Sequence, residues 1–135
     1  MITINHIAIV VADLQEAQRF WVEALELPLE RVTTVEAESV KVAFLSAGAG
    51  KIELVQPTDE ESGVARYLQK RGSGMHHLCL EVPDIDAAIE RLRAFDVELI
   101  NETPRESDDG RRYAFIHPRS TQGVLVELYQ RANGA

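Results

Sequence analysis

The sequence predicts an α+β fold made from one strand–helix–strand–strand–strand unit used twice. Three observations carry this. Two stretches begin alike, Asn5-His6-Ile7-Ala8-Ile9-Val10-Val11 and His76-His77-Leu78-Cys79-Leu80-Glu81-Val82. His6 and His77 each stand seven residues before an aspartate that opens a helical pattern, Asp13 or Asp84. Each half then closes on an apolar strand that holds a glutamate, Ile52-Glu53-Leu54-Val55-Gln56 and Val126-Glu127-Leu128-Tyr129-Gln130. Runs of paired strands with one covering helix indicate α+β rather than a doubly wound parallel sheet. The organisation read from this is a single domain over 1–135, with one repeat at 3–56, a second at 75–130 and a connector at 57–74.

The elements follow in order. Residues 3–11 alternate and are rich in Ile and Val, which reads as a strand. Asp13 caps a helix, and Glu16 completes a capping box. Its apolar face is Leu14, Ala17, Phe20, Trp21, Ala24 and Leu25. Pro28 ends that helix by disfavouring helical geometry at Leu27. Strands are expected at 29–37, Val40 to Ser46 and Lys51 to Gln56, with a turn at Ala47-Gly48-Ala49-Gly50. In the connector, Val64 to Lys70 reads as a short helix and Arg71-Gly72-Ser73-Gly74 as a flexible joint. The second half repeats the order. Met75 to Val82 is a strand, and Asp84 caps a helix with Ile85, Ala88, Ile89, Leu92 and Phe95 on its apolar face. Val97 to Ile100 is a short strand, Asn101 to Arg111 a polar loop, and Arg112 to His117 and Gly123 to Tyr129 a hairpin pair.

Composition narrows the function classes. The chain has 135 residues, 45% of them apolar and 27% charged, the profile of a soluble globular protein. Each half alone would bury a marginal core. No run approaches the roughly 18 apolar residues of a membrane helix. The start, Met1-Ile2-Thr3-Ile4, lacks the basic region of a signal peptide. The one cysteine, Cys79, excludes an internal disulfide and fits a reducing compartment. A cytoplasmic location is the expectation. A net charge of −8 argues against nucleic acid or an anionic membrane as partner.

Side chains of a strand alternate between faces. His6, Ala8 and Val10 therefore share a face, as do His77, Cys79 and Glu81. A glutamate between Ile52 and Leu54, or between Val126 and Leu128, is costly among apolar neighbours unless exposed or paired. Any one strand histidine or glutamate is more often a surface or hydrogen-bonded residue than a ligand. The matched quartet of His6, Glu53, His77 and Glu127 reads differently. It is an N2O2 donor set that would suit one divalent ion such as Co2+, Ni2+, Mn2+, Zn2+ or Fe2+. Elsewhere, His76 reads as packing, His117 as a turn residue and Cys79 as an inert buried thiol. Ser120, Thr121 and the Gly123 amide either hold a ligand anion or build the turn. Arg66, Lys70 and Arg71 read as helix-face cations, with a phosphate as the other reading.

With these stretches and His117-Pro118-Arg119-Ser120-Thr121-Gln122-Gly123-Val124-Leu125-Val126-Glu127-Leu128 in view, the chain resembles the vicinal oxygen chelate superfamily. This superfamily is also called the glyoxalase/bleomycin-resistance/dioxygenase superfamily. The resemblance covers roughly residues 3–130. It implies paired βαβββ modules forming an open, cup-like eight-stranded sheet around a divalent metal held by His6, Glu53, His77 and Glu127. Within the superfamily, the double histidine after Gly72-Ser73-Gly74 and the His117-Pro118-Arg119-Ser120 turn look like the methylmalonyl-CoA epimerases. The implied activity is epimerisation at carbon 2 of an acyl-CoA through a chelated enolate, by a homodimer. The implied roles are Glu127 and Glu53 as catalytic carboxylates and Ser120 and Gly123 as substrate contacts. The alternative is lactoylglutathione lyase (glyoxalase I) or a related isomerase, which uses a His, Glu, His, Glu set in the same order. A non-catalytic binding cup would not need the inward quartet. One departure stands out: the proton-transferring glutamate that some epimerases carry in a middle strand falls on Val42 here. Glu38 is a nearby candidate.

Overall fold

The structure, a computed structural model, describes residues 1–132. The chain divides into two compact units. One comprises His6–His76, and the other Met1–Asn5 with His77–Ala135.

The first unit carries β1 (Thr3–Val10) from His6 onward, β2 (Leu29–Val35), β3 (Val40–Ala47) and β4 (Gly50–Pro57), with helices α1 (Leu14–Gln18) and α2 (Gly63–Arg71). Its sheet order is β2-β3-β4-β1. β3 pairs antiparallel with β2 and β4, while β1 runs parallel to β4. Apolar residues fill both faces, as expected for strands covered on two sides. On one face Leu14, Ala43, Leu45 and Leu54 pack with Ala17, Trp21 and Leu27. On the other, Ala8, Val40, Val42 and Val55 pack with Phe44 and with Val64 of α2.

Helix α1 departs from the expected face. Asp13 caps it as the sequence predicts, accepting from Glu16 N at 3.1 Å. After one α-helical turn, however, the chain winds into a π-helix over Arg19–Ala24. The amide of Leu25 donates to the Phe20 carbonyl at 2.8 Å, five residues back. The wider turn rotates later residues relative to a 3.6-residue period. Trp21 and Val22 therefore reach the core. Phe20 and Leu25, expected on the apolar face, are exposed. The expected strand at 29–37 ends at Val35, where a 3-10 turn over Glu36–Glu38 begins.

The second unit carries β5 (Gly74–Glu81) from His77 onward, α3 (Ile85–Ala94), β6 (Arg105–Glu106), β7 (Arg112–Ile116) and β8 (Val126–Gln130). Its order is β5-β8-β7-β6, with β8 parallel to β5 and antiparallel to β7. Its core packs Ile85 and Ile89 of α3 against Ala114, Ile116, Val126 and Leu128. Phe95, expected on the helix's apolar face, lies at its C-cap and is exposed. The expected strand Val97–Ile100 contributes one isolated bridge, Leu99 to Ile116. Asn101 explains the stop: its side-chain oxygen accepts from Phe115 N at 2.8 Å, replacing a strand carbonyl. The edge passes instead to β6, inside the segment expected to be a loop.

The expected α+β class therefore holds, with a mixed sheet in each unit. Among the described residues, no helix is long and apolar enough to cross a membrane.

Candidate metal centre

Strand register builds the same local arrangement in both units. In the first, Glu53 lies opposite Ala8 on β1 and opposite Phe44 on β3. His6, two residues before Ala8, projects from the same face, and its Nδ1 lies 3.1 Å from Glu53 Oε2. In the second, Glu127 lies opposite Cys79 on β5 and opposite Phe115 on β7. His77, two residues before Cys79, brings Nε2 to 3.2 Å from Glu127 Oε1. Both pairs are largely withdrawn from solvent, with side chains 11% and 18% exposed for His6 and Glu53, and 14% and 13% for His77 and Glu127.

The sites are floored by small, fully buried residues, Ala8 and Cys79. They are walled by rings. His77 meets Phe115 edge-to-face at 5.6 Å, and Arg31 lies over the Phe44 ring at 4.0 Å. Stacking of this kind fixes ring orientation.

The donor chemistry fits a divalent ion. Imidazole nitrogen and carboxylate oxygen are the donors that such ions take together. Two adjacent donors on one ion, each about 2.1 Å from it, stand roughly 3 Å apart. Each His–Glu pair already has that spacing. Within each unit the pair, His6 with Glu53 or His77 with Glu127, thus offers an ion two donors at ligand spacing.

A second repeated device lies three residues after each glutamate, on the opposite face. Gln56 Oε1 accepts from the Leu14 amide at 2.7 Å. Gln130 Oε1 accepts from the Ile85 amide at 2.8 Å. These amides belong to the first turns of α1 and α3, where backbone donors lack helical partners. The repeated Gln was visible in sequence, but only the fold reveals the helix it reaches. Gln130→Ala is expected to lower stability by about 1 kcal/mol, as loss of a capping acceptor does. Gln130→Glu keeps an acceptor at the helix N-terminus and should recover most of it. Thermal unfolding of the two variants checks this.

The remaining expectations fall as follows. Val42 is buried, opposite Val55 and Thr33, in the aliphatic cluster of the first unit. Glu38 lies in the exposed 3-10 turn before β3. His76 packs edge-to-face on Tyr67 of α2 at 4.8 Å. His117 caps the turn after β7, its Nδ1 accepting from Arg119 N at 3.0 Å. Ser120 Oγ accepts from Glu98 N at 2.9 Å. Gly123 N donates to the Pro118 carbonyl at 2.8 Å, with φ of 92°. Ser120 thus ties the turn to the segment at Glu98, and Gly123 closes the turn itself. Phe44 and Phe115 escaped sequence reasoning because the loops between them and their glutamates differ in length.

Residues 5–115 match the model of the glyoxalase/bleomycin resistance protein/dioxygenase superfamily. The chain belongs to that superfamily. Among curated proteins, it is 38% identical to an uncharacterised Bacillus subtilis protein, YqjC, over 93% of this chain and 89% of that one. It is 36% identical to the human mitochondrial methylmalonyl-CoA epimerase, over 94% of this chain and 73% of the other. Among solved structures, a hypothetical protein from Bacillus halodurans superimposes with a TM-score of 0.92 at 37% identity, covering 99% and 97% of the two chains. A Streptomyces coelicolor methylmalonyl-CoA epimerase variant, solved with 2-nitronate-propionyl-CoA, gives a TM-score of 0.85 at 31% identity, covering 97% and 95%.

Proposed function

We propose that this superfamily member is a metal-dependent epimerase acting at carbon 2 of methylmalonyl-CoA. The observation that carries the reading is the repeated His–Glu pair, held at donor spacing in each unit of a chain whose relatives include methylmalonyl-CoA epimerases. In this reading His6, Glu53, His77 and Glu127 serve one divalent ion, with Co2+ the first candidate. Bound there, the ion supplies Lewis acidity toward the oxygens flanking carbon 2.

The chain's own residues handle the proton. One glutamate, Glu127 by preference, takes the proton from carbon 2. The C–H bond breaks, its electron pair moves into the thioester carbonyl, and a carboxyl O–H forms. The other glutamate gives a proton to the opposite face, which inverts the centre and balances the reaction. Val42 supports assigning both roles to Glu53 and Glu127, since an aliphatic side chain offers no proton-accepting atom there. A homodimer, on the strength of the resemblance, and a cytoplasmic location, in keeping with the single free cysteine Cys79, complete the proposal.

The same observation favours one second reading. Glu53 and Glu127, each beside a histidine, with the aliphatic Val42 in β3, also suit a lactoylglutathione lyase. Incubation with methylmalonyl-CoA in heavy water, followed by NMR, decides between them. Loss of the carbon 2 proton signal is the expected result. No exchange, together with turnover of the methylglyoxal–glutathione hemithioacetal, would transfer the assignment to the lyase.

A further inference from the structure

The face that carries Glu127 changes character along the second unit's strands. Beside Glu127 it is Phe115. One step further it is Tyr113 and Tyr129, directly opposite each other on β7 and β8. Beyond them stand three arginines. Arg105 of β6 is the register partner of Tyr113. Arg111 shares a side-chain hydrogen bond with Tyr129 and an ion pair with Asp109 at 2.7 Å. Arg131 reaches Glu81, the register partner of Tyr129, at 2.9 Å. In a chain of net charge −8, three guanidinium groups and two phenols gathered on one sheet face form a marked donor-rich patch.

We propose that this patch binds the phosphates at the nucleotide end of a coenzyme A thioester. The inference rests on the acyl-CoA reading above. Distance selects phosphate over the acyl carboxylate. Tyr113 and Tyr129, the level at which the three arginines gather, lie two residues past Glu127, roughly 7 Å at strand rise, with the backbones of Arg111 and Arg131 further out. The acyl carboxylate is bonded to the reacting carbon and cannot reach so far, whereas an extended pantetheine arm spans such a gap. Guanidinium geometry suits the ligand, since its planar fork donates two parallel hydrogen bonds to a phosphate. Asp109 and Glu81 do not prevent this. Exposed ion pairs are weak, and Arg111 and Arg131 keep 49% and 61% of their side chains in solvent. Asp109, held down to about 2 first by the Ser107 hydroxyl and then by Arg111, stays charged and positions the Arg111 side chain. The cations of α2 are the competing phosphate site, but Arg71 already covers the Tyr67 ring at 5.5 Å.

The test compares kcat/KM for carbon 2 proton exchange with methylmalonyl-CoA, its 3′-dephospho form and methylmalonyl-pantetheine. Wild-type protein should favour the CoA thioester over the pantetheine thioester by about tenfold or more, the scale of one or two charge-assisted bonds. In the triple variant Arg105→Gln, Arg111→Gln, Arg131→Gln, that preference should shrink to about twofold, exposed charge changes being mild for the fold. The dephospho substrate tells which phosphate is held. If the triple variant unfolds early, Arg105→Gln alone should still reduce the preference. Equal exchange of both thioesters by wild type would overturn this proposal and leave the epimerase reading standing. An undiminished preference in the variants, or one abolished by Lys70→Gln instead, would also overturn it. Exchange of neither thioester by wild type would overturn both.

Discussion

Glu127→Gln is expected to slow carbon 2 proton exchange by about 10²–10⁴-fold, the usual range for removing a general acid–base group. The substitution keeps size and one oxygen donor while removing proton affinity. Glu127 sits between Cys79 and Phe115 on a paired strand, so its replacement leaves the ladder untouched. Exchange followed by NMR, beside an unfolding curve, separates chemistry from stability. Glu53→Gln should behave alike if the two carboxylates share the two faces of carbon 2. A loss confined to Glu127→Gln would mean that some other group serves the second face. Retention of exchange within a few-fold in Glu127→Gln would remove it from the reaction altogether.

The second large effect concerns stability. Leu54→Ala should cost about 3–4 kcal/mol, the range for a buried leucine whose cavity cannot collapse. Leu54 is fully buried on the α1 side of β4, among Leu14, Ala43 and Leu45. Its strand neighbour Glu53 projects from the other face, so the packing that Leu54 provides also fixes the glutamate. For a chain of this size the loss corresponds to a midpoint roughly 10 °C lower. A drop of only a degree or two in thermal unfolding would mean that the cluster repacks around the gap.

Much of this was legible in the residues. Alternation placed His6 and His77 on strands, and Asp13 and Asp84 marked both helix starts, because these signals act over a few neighbouring residues. What escaped depends on contacts distant in sequence or on rare backbone states. The π-helix that turns Phe20 outward and Trp21 inward leaves no mark in a 3.6-residue pattern. The edge strand at Arg105–Glu106 is too short to show alternation, and the Asn101 side chain that takes the Phe115 amide before it acts across 14 residues. The ring walls of the site, Phe44 and Phe115, became visible only through register. Val42 is the reverse case: the sequence flagged its position, and its burial among valines explains why no carboxylate could be tolerated there unpaired.

The glutamines three residues beyond the site carry a consequence for folding. A strand that slips by one residue turns its whole side-chain set to the wrong face. Such a slip in β4 or β8 would expel the glutamate from the donor pair and swing the glutamine away from the helix. A slip by two would keep the faces but move the glutamine roughly 7 Å along the strand, beyond the amide it serves. The spacing of three thus works as a ruler that admits one alignment. A unit that has docked its helix has already set the register that brings its glutamate to its histidine.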